Sequence, residues 1–226
     1  MNFSTYFLLI GIPVIFGLWA QYRVSSTFNR YKKVSTTSGL TGAQAAQQIL
    51  SASEIHDVSI VPIDSMLGDH YDPSKKCLNL STDVFYGNSV SAVGVAAHEC
   101  GHALQHKLHY SPLQWRNMIV PATQFSSQLL PFVLLGGFFF HLINLINIGI
   151  ACYAILMVFQ LITLPVEFDA SARAKMILQK MSIIQSPAEI AGVNAMLDAA
   201  ALTYIAAFIA TVGNIVYLLM ARRDSR

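Results

Sequence analysis

The chain has 226 residues, of which 54% are hydrophobic and only 12% charged, and its formal net charge is +2. Soluble domains carry about 25% charged residues, so this composition, with a mean hydropathy of +0.50, excludes an ordinary soluble domain and points to a membrane protein with a modest polar portion. The small net charge and the lack of a dense basic stripe speak against nucleic acid as a partner.

The run from Phe3 to Ala20 is apolar and long enough to span a bilayer core at about 1.5 Å per residue. It lacks a basic n-region and no small-x-small cleavage site follows it, so a retained anchor is expected rather than a signal peptide. Pro13 is a potential kink. Arg23, Arg30, Lys32 and Lys33 follow as a cytoplasmic flank.

A polar region then runs to about Trp115. Within it, Thr41 is placed to cap a helix over residues 42–50, with Ala45, Ala46, Ile49 and Leu50 at helical spacing. The segment from Asp57 to Val61 alternates as a strand does, and so does that from Cys77 to Ser81. Asp72-Pro73-Ser74-Lys75-Lys76 between them is turn chemistry, so a short hairpin or mixed sheet is expected. Residues 89–107 read as a helix capped by Asn88 or Ser89.

Residues 129–165 contain no Lys, Arg, Asp or Glu, which is too long for one straight span. A turn over residues 141–147 divides the stretch into a membrane hairpin, with spans near 118–140 and 148–164. A second polar patch covers residues 166–198, and Ala201 to Ala221 is a fourth apolar run, ended by Arg222, Arg223 and Arg226. Eight Lys and Arg lie between residues 21 and 118 and three between 166 and 200. Four spans put both polar regions on one side, and this balance favours the cytoplasm; the arginine tail dissents.

The chemistry is concentrated in His98-Glu99-Cys100-Gly101-His102. Two histidines four residues apart on a helix project about 40° apart, one turn apart in height, and can reach one zinc ion at about 2.0–2.1 Å. Glu99, beside them, is placed to take a proton from water activated by that ion. The alternative is a surface helix that happens to carry two histidines and an acid. Ala92, Val93, Val95, Ala96, Ala97, Ala103 and Leu104 make a buried helix the expectation instead, and a buried acid beside two imidazoles is costly without a metal.

A metzincin-type continuation needs Gly at 105 and His at 108, but Gln105 and Leu108 stand there. His106 and His109 miss that offset, and His106 is expected on the solvent side or behind a ligand. The third ligand is then a distant carboxylate. Glu167, just past Pro165 at the end of an apolar stretch, is the leading candidate; the competing role is an interfacial helix cap. Cys77, Cys100 and Cys152 form no C-x-x-C pair, so reduced, non-ligating thiols are expected.

A histidine helix, a membrane hairpin and a later Glu stretch resemble the gluzincin membrane peptidases of the Ste24/HtpX kind. They resemble more closely the YugP-like bacterial membrane zinc metallopeptidases (neutral zinc metallopeptidases). The resemblance is carried by Asp69-His70-Tyr71-Asp72-Pro73, by Ala96 to Ala103, by Leu164-Pro165-Val166-Glu167-Phe168-Asp169-Ala170-Ser171 and by Leu197 to Tyr204. It implies one zinc ion held by His98, His102 and Glu167, with Glu99 as general base and a peptide or protein, membrane proteins included, as substrate. One departure stands out: the Ste24/HtpX pattern has Asp four residues after the ligand Glu, where this chain has Ser171, and Asp169 is an alternative orienting acid.

The resulting plan is mainly α and membrane-integral, with about four spans and a small α+β catalytic region. Residues 1–22 form an anchor, 23–117 the catalytic region, 118–165 the membrane hairpin, 166–200 a second catalytic segment and 201–226 the last span and basic tail. The strand from Cys77 to Ser81 is expected to bind extended substrate by edge pairing, and Tyr71, His70 and Arg173 are candidate oxyanion donors. Two rival readings are a site-2-type intramembrane protease, with Asp198 of Leu197-Asp198 as ligand, and a silent scaffold that keeps the zinc site. An interrupted, short histidine helix argues against the first and an intact Glu99 against the second.

Overall fold

The computed structural model describes residues 3–65, 68–140 and 142–224; His141, at the expected hairpin turn, and Arg226 of the tail lie outside them. The elements in chain order are α1 (Phe3–Tyr31), α2 (Gly42–Ala52), β1 (Ser59–Ile63), β2 (His70–Asp72), β3 (Cys77–Ser81), α3 (Thr82–Phe85), α4 (Val90–Lys107), α5 (Ser111–Phe139), α6 (Ile143–Lys180) and α7 (Pro187–Asp224). They form two compact units. One takes the chain up to Gln21, Gln114–Pro165 and the chain from Leu202 onward; the other takes Tyr22–Leu113 and Val166–Ala201.

The first unit is the membrane part. Among the described residues four helices, α1, α5, α6 and α7, are long and apolar enough to cross a bilayer. Their large apolar side chains face outward: Leu8, Leu18, Phe125 and Phe132 are each at least 60% exposed. Water would penalise such a surface, whereas hydrocarbon matches it. Polar side chains inside the spans turn back on their own helix. Thr123, Thr163 and Thr211 donate to the carbonyls of Ile119, Phe159 and Ala207 at 3.0, 2.8 and 3.0 Å.

Pro13 leaves its mark one turn upstream, where α1 widens into a π-helical turn over Phe7–Gly11. Proline has no N–H to donate to the carbonyl four residues back and its ring clashes with that carbonyl, and a π-turn relieves the conflict. The displaced Leu9 carbonyl packs on Gly213 of α7 so closely that any Cβ there would collide with it.

The second unit is a small α+β body. Thr41 caps α2 as expected, in a reciprocal pair with Gln44: Gln44 N donates to Thr41 Oγ1 at 3.2 Å and Thr41 N to Gln44 Oε1 at 2.9 Å. Ser89, not Asn88, caps α4, its hydroxyl accepting from Ala92 N at 3.2 Å. The strands form one mixed sheet in the order β1-β3-β2, β3 being parallel to β1 and antiparallel to β2. The β2–β3 turn closes on Asp72 Oδ1, which accepts from Ser74 N and Lys75 N at 2.9 and 3.1 Å. Pro62, which has no N–H to give, sits in edge strand β1.

Here the expectation for Cys77–Ser81 fails: β3 is the central strand, hydrogen-bonded on both sides, and offers no free edge. The expected strand at Asp57 also begins later, at Ser59. The hairpin turn is shorter than expected, since α6 is already helical at Ile143. The patch at 166–198 falls in the second unit, which takes Val166–Ala201, and it is built on the long helices themselves: α6 continues through Pro165 to Lys180, and α7 starts at Pro187. The start of α7 is a capping pair, with Ser186 Oγ accepting from Glu189 N while the buried Glu189 carboxylate accepts from Ser186 N, Gln185 N and Thr37 N.

The core of this unit surrounds α4. Val93, Ala96, Ala97, Cys100 and Ala103 pack with Ile49 and Leu50 of α2, Leu78 and Leu80 of β3, Leu178 of α6 and Met196 of α7. Small residues let backbones approach. At Gly101 a Cβ would stand 2.6 Å from the Ala170 carbonyl oxygen and 3.0 Å from its Cα, so α4 and α6 touch there backbone to backbone. Asp69, just before β2, anchors the sheet by accepting from Ser81 N and Ser81 Oγ at 2.6 and 3.1 Å. Burial, and additionally the charge of Glu99, hold the Asp69 carboxyl above the usual carboxylate range despite these bonds.

Two stability predictions follow from these contacts. Gly101→Ala must push two backbones apart and should destabilise the protein by about 1–3 kcal/mol, read as a lower unfolding midpoint in detergent. Gly17→Ala, with nothing within 4 Å of the new methyl, should be neutral or slightly stabilising; equal midpoints for Gly101→Ala and wild type would contradict the close approach. For Asp69, the raised folded pKa means that its stabilising contribution is complete below the unfolded value of about 3.9 and is lost as pH rises through the folded value. Wild type should therefore gain stability relative to Asp69→Asn as pH falls from 7 toward 4. A pH-independent difference in midpoints would rule this out.

Candidate metal centre

His98 and His102 lie on α4 and Glu167 on α6, in the same compact unit. The contact at Gly101 and Ala170 sets one helix against the other at the height of these side chains. Glu167 Oε2 lies 3.2 Å from His98 Nε2 and 3.6 Å from His102 Nε2. One ligand atom from each residue fits within a 4.8 Å group. The two imidazoles meet edge to face, with ring centroids 4.8 Å apart. Glu99, His102 and Glu167 are buried.

Two nitrogens and one carboxylate oxygen from converging side chains are a donor set suited to zinc, which takes three protein ligands in catalytic sites. The surroundings favour positive charge. Burial alone would push the His102 imidazole toward neutrality, but the Glu167 hydrogen bond and the charges of Glu99 and Glu167 outweigh it and raise its pKa. A field that draws a proton to this spot draws a divalent cation as well. The residues therefore fit a zinc ion.

Each histidine is held from behind. Ser171 Oγ lies 3.2 Å from His98 Nδ1, so the residue that departs from the Ste24/HtpX pattern still reaches the histidine. Gln105, fully buried, places its Oε1 3.0 Å from His102 Nδ1. Its Nε2 donates to Val166 O at 2.7 Å and to Asp169 Oδ2 at 2.9 Å. Asp169 in turn accepts from Arg173 Nε at 2.6 Å. Reading the sequence gave Gln105 no role, although its position three residues beyond His102 on a helix puts both on one face.

Glu99 does not join the cluster. Its Oε2 accepts from the backbone N–H of Tyr71 on edge strand β2 at 2.9 Å. The Tyr71 hydroxyl shares a 2.8 Å hydrogen bond with His106 Nδ1. Burial, then the charges of Asp57 and Asp72, push this phenol up to about 12, so it stays protonated. Tyr71 and His106 also line a cavity of about 590 Å³ together with His56, Asp57, Lys76 and Ala103. His106 thus backs Tyr71, not a histidine ligand, and His109 also lines that cavity.

The other oxyanion candidates are engaged elsewhere. His70 bonds Gly68 O through Nδ1 at 2.8 Å, and Arg173 is bound to Asp169. Asp198, the ligand of the site-2-type reading, pairs with Lys175 at 2.5 Å and is not part of the three-residue cluster. Cys100 is buried, with its thiol 3.7 Å from Ala46 O, and burial followed by the charge of Glu99 pushes its pKa far up. It is a packing residue, not a ligand.

The sequence matches the family described as "Putative neutral zinc metallopeptidase" over residues 6–223. It is 43% identical to the "Putative membrane protease YugP" of Bacillus subtilis (strain 168) over 221 residues, covering 97% of this chain and 98% of that protein. No solved structure matches. With a match that runs through the histidine helix, the membrane hairpin and the segment of Glu167 alike, the chain belongs to this neutral zinc metallopeptidase family.

Proposed function

We propose that the protein is a zinc-dependent membrane endopeptidase in which His98, His102 and Glu167 hold one zinc ion and Glu99 is the general base. The observation that carries this reading is the convergence of His98 Nε2, His102 Nε2 and Glu167 Oε2 beside a buried Glu99. When bound, zinc supplies a Lewis acid that lowers the pKa of water to about 7 and polarises the peptide carbonyl.

The chain's own residues do the rest. Glu99 is oriented by the Tyr71 N–H on Oε2, which leaves Oε1 to take the proton of the attacking water and pass it to the leaving amine. Edge strand β2, rather than the central β3, is where an extended substrate segment pairs, through backbone groups other than the Tyr71 N–H that Glu99 holds. The substrate is a peptide or protein, and a bilayer-embedded enzyme has membrane proteins within reach. The excess of Lys and Arg in the polar regions supports a cytoplasmic catalytic region.

The test is zinc content and casein cleavage by the full chain purified in detergent. Glu99→Gln should keep its zinc and lose at least about 100-fold in turnover, the lower end of what general acid–base catalysis supplies. Equal turnover in both would remove Glu99 from the role of base. Glu167→Ala should lose zinc and activity together, whereas Asp198→Ala should keep both. The reverse pattern would return the site-2-type assignment, and wild type without zinc would end the metallopeptidase reading.

A further inference from the structure

Gln105 is fully buried, one turn beyond His102 on α4. Its amide faces two groups that can only accept hydrogen bonds on one side, the Val166 carbonyl at 2.7 Å and the Asp169 carboxylate at 2.9 Å. Both protons of its Nε2 are therefore committed there, and the amide cannot be turned round. The oxygen Oε1 then faces His102 Nδ1 at 3.0 Å and can only accept. It follows that Nδ1 carries a proton, so that in the neutral imidazole Nε2, the atom 3.6 Å from Glu167, keeps its lone pair.

The opposite amide orientation would present N–H to Nδ1, put the proton on Nε2 and block ligation. Arg173, bound to Asp169 through Nε at 2.6 Å and Nη2 at 3.3 Å, fixes the acid that fixes the amide. His98 has no such constraint. Its Nδ1 meets the Ser171 hydroxyl, which can donate or accept and so permits either tautomer.

We propose that Gln105 is a positioning residue for the metal centre: held by Asp169 and Arg173, it keeps His102 in the Nδ1–H tautomer that leaves Nε2 free to ligate. This rests on the zinc reading above. It also assigns Asp169 and Arg173, which reach no ligand atom directly, a part in metal affinity.

The experiment is zinc affinity of the full-length protein in detergent, measured by competition with a chelator, alongside the unfolding midpoint of the zinc-free form. Gln105→Met keeps the length of the side chain and removes its hydrogen bonds. It should weaken zinc about 10–100-fold, the usual cost of losing a partner behind a ligand, and also lower the zinc-free midpoint, because the Val166 carbonyl and Asp169 lose their donor. Gln105→Glu sets two carboxylates against each other and should weaken zinc also. Adding Asp169→Asn supplies the missing donor, so Gln105→Glu/Asp169→Asn should bind zinc more tightly than Gln105→Glu alone.

Wild-type zinc affinity in Gln105→Met overturns the proposal and leaves the peptidase reading standing. If Gln105→Met lowers the zinc-free midpoint severely, the paired variant decides: no recovery over Gln105→Glu means that Gln105 only fills space. A wild-type protein that binds no zinc overturns both readings at once.

Discussion

The backbone contact between α4 and α6 is the constraint on which the site depends. His98 and His102 lie on one helix and Glu167 on another, some 65 residues later in the chain. Their ligand atoms converge because Gly101, between the two histidines, has no side chain to hold Ala170 away. Ala170 is one turn beyond Glu167, and Ser171 follows it. One short contact therefore sets both the Glu167 carboxylate and the hydroxyl behind His98. The middle of the His-Glu-x-x-His motif thus has a packing role of its own.

Burial raises the stakes. Glu99, His102, Gln105, Glu167 and Ser171 are all less than a tenth exposed, and a buried polar group without a partner costs roughly 1–3 kcal/mol. Each of them has one. Ser171 and Gln105 serve the imidazoles, the Tyr71 N–H serves Glu99, and the Val166 carbonyl with Asp169 holds Gln105. A network satisfied on all its members holds a unique geometry, whereas a half-satisfied one would be worse than an apolar core.

Much of this was legible in the residues. The apolar runs gave four spans, Thr41 and the Ser89 region gave helix starts, and the five residues from His98 gave the histidine pair, because each depends on local spacing alone. Glu167 was legible only as the acid most in need of a partner. What sequence reading missed depends on contacts far apart in the chain. β3 alternates like any strand, and nothing local says that it takes the middle place between β1 and a three-residue β2. The polar patch after Pro165 gives no local sign that the helix runs on, but α6 continues because Ala174 and Leu178 bury one face in the core of the second unit. Ser186 and Glu189 were a readable capping pair that went unread. Gln105 was discarded as a failed metzincin glycine, since its partners, Val166 and Asp169, are about 60 residues away.

The exchange of an acid for Ser171 is best understood as charge balance. An aspartate at that position would add a third buried negative charge beside Glu99 and Glu167. Here the acid is Asp169, displaced by two residues, which stands behind His102 alone and through Gln105, and Arg173 neutralises it one turn further along α6. Glu167, in contact with both imidazoles, and Glu99, held by the Tyr71 N–H, then leave two buried carboxylates whose charge suits one divalent cation. An unbalanced buried charge costs several kcal/mol. The negative influence of Asp169 still reaches His102, but through the dipole of the Gln105 amide, which transmits orientation without bringing a full charge to the ligand. The local departure from the Ste24/HtpX pattern thus leaves intact what a zinc site requires: oriented imidazoles and a neutral interior.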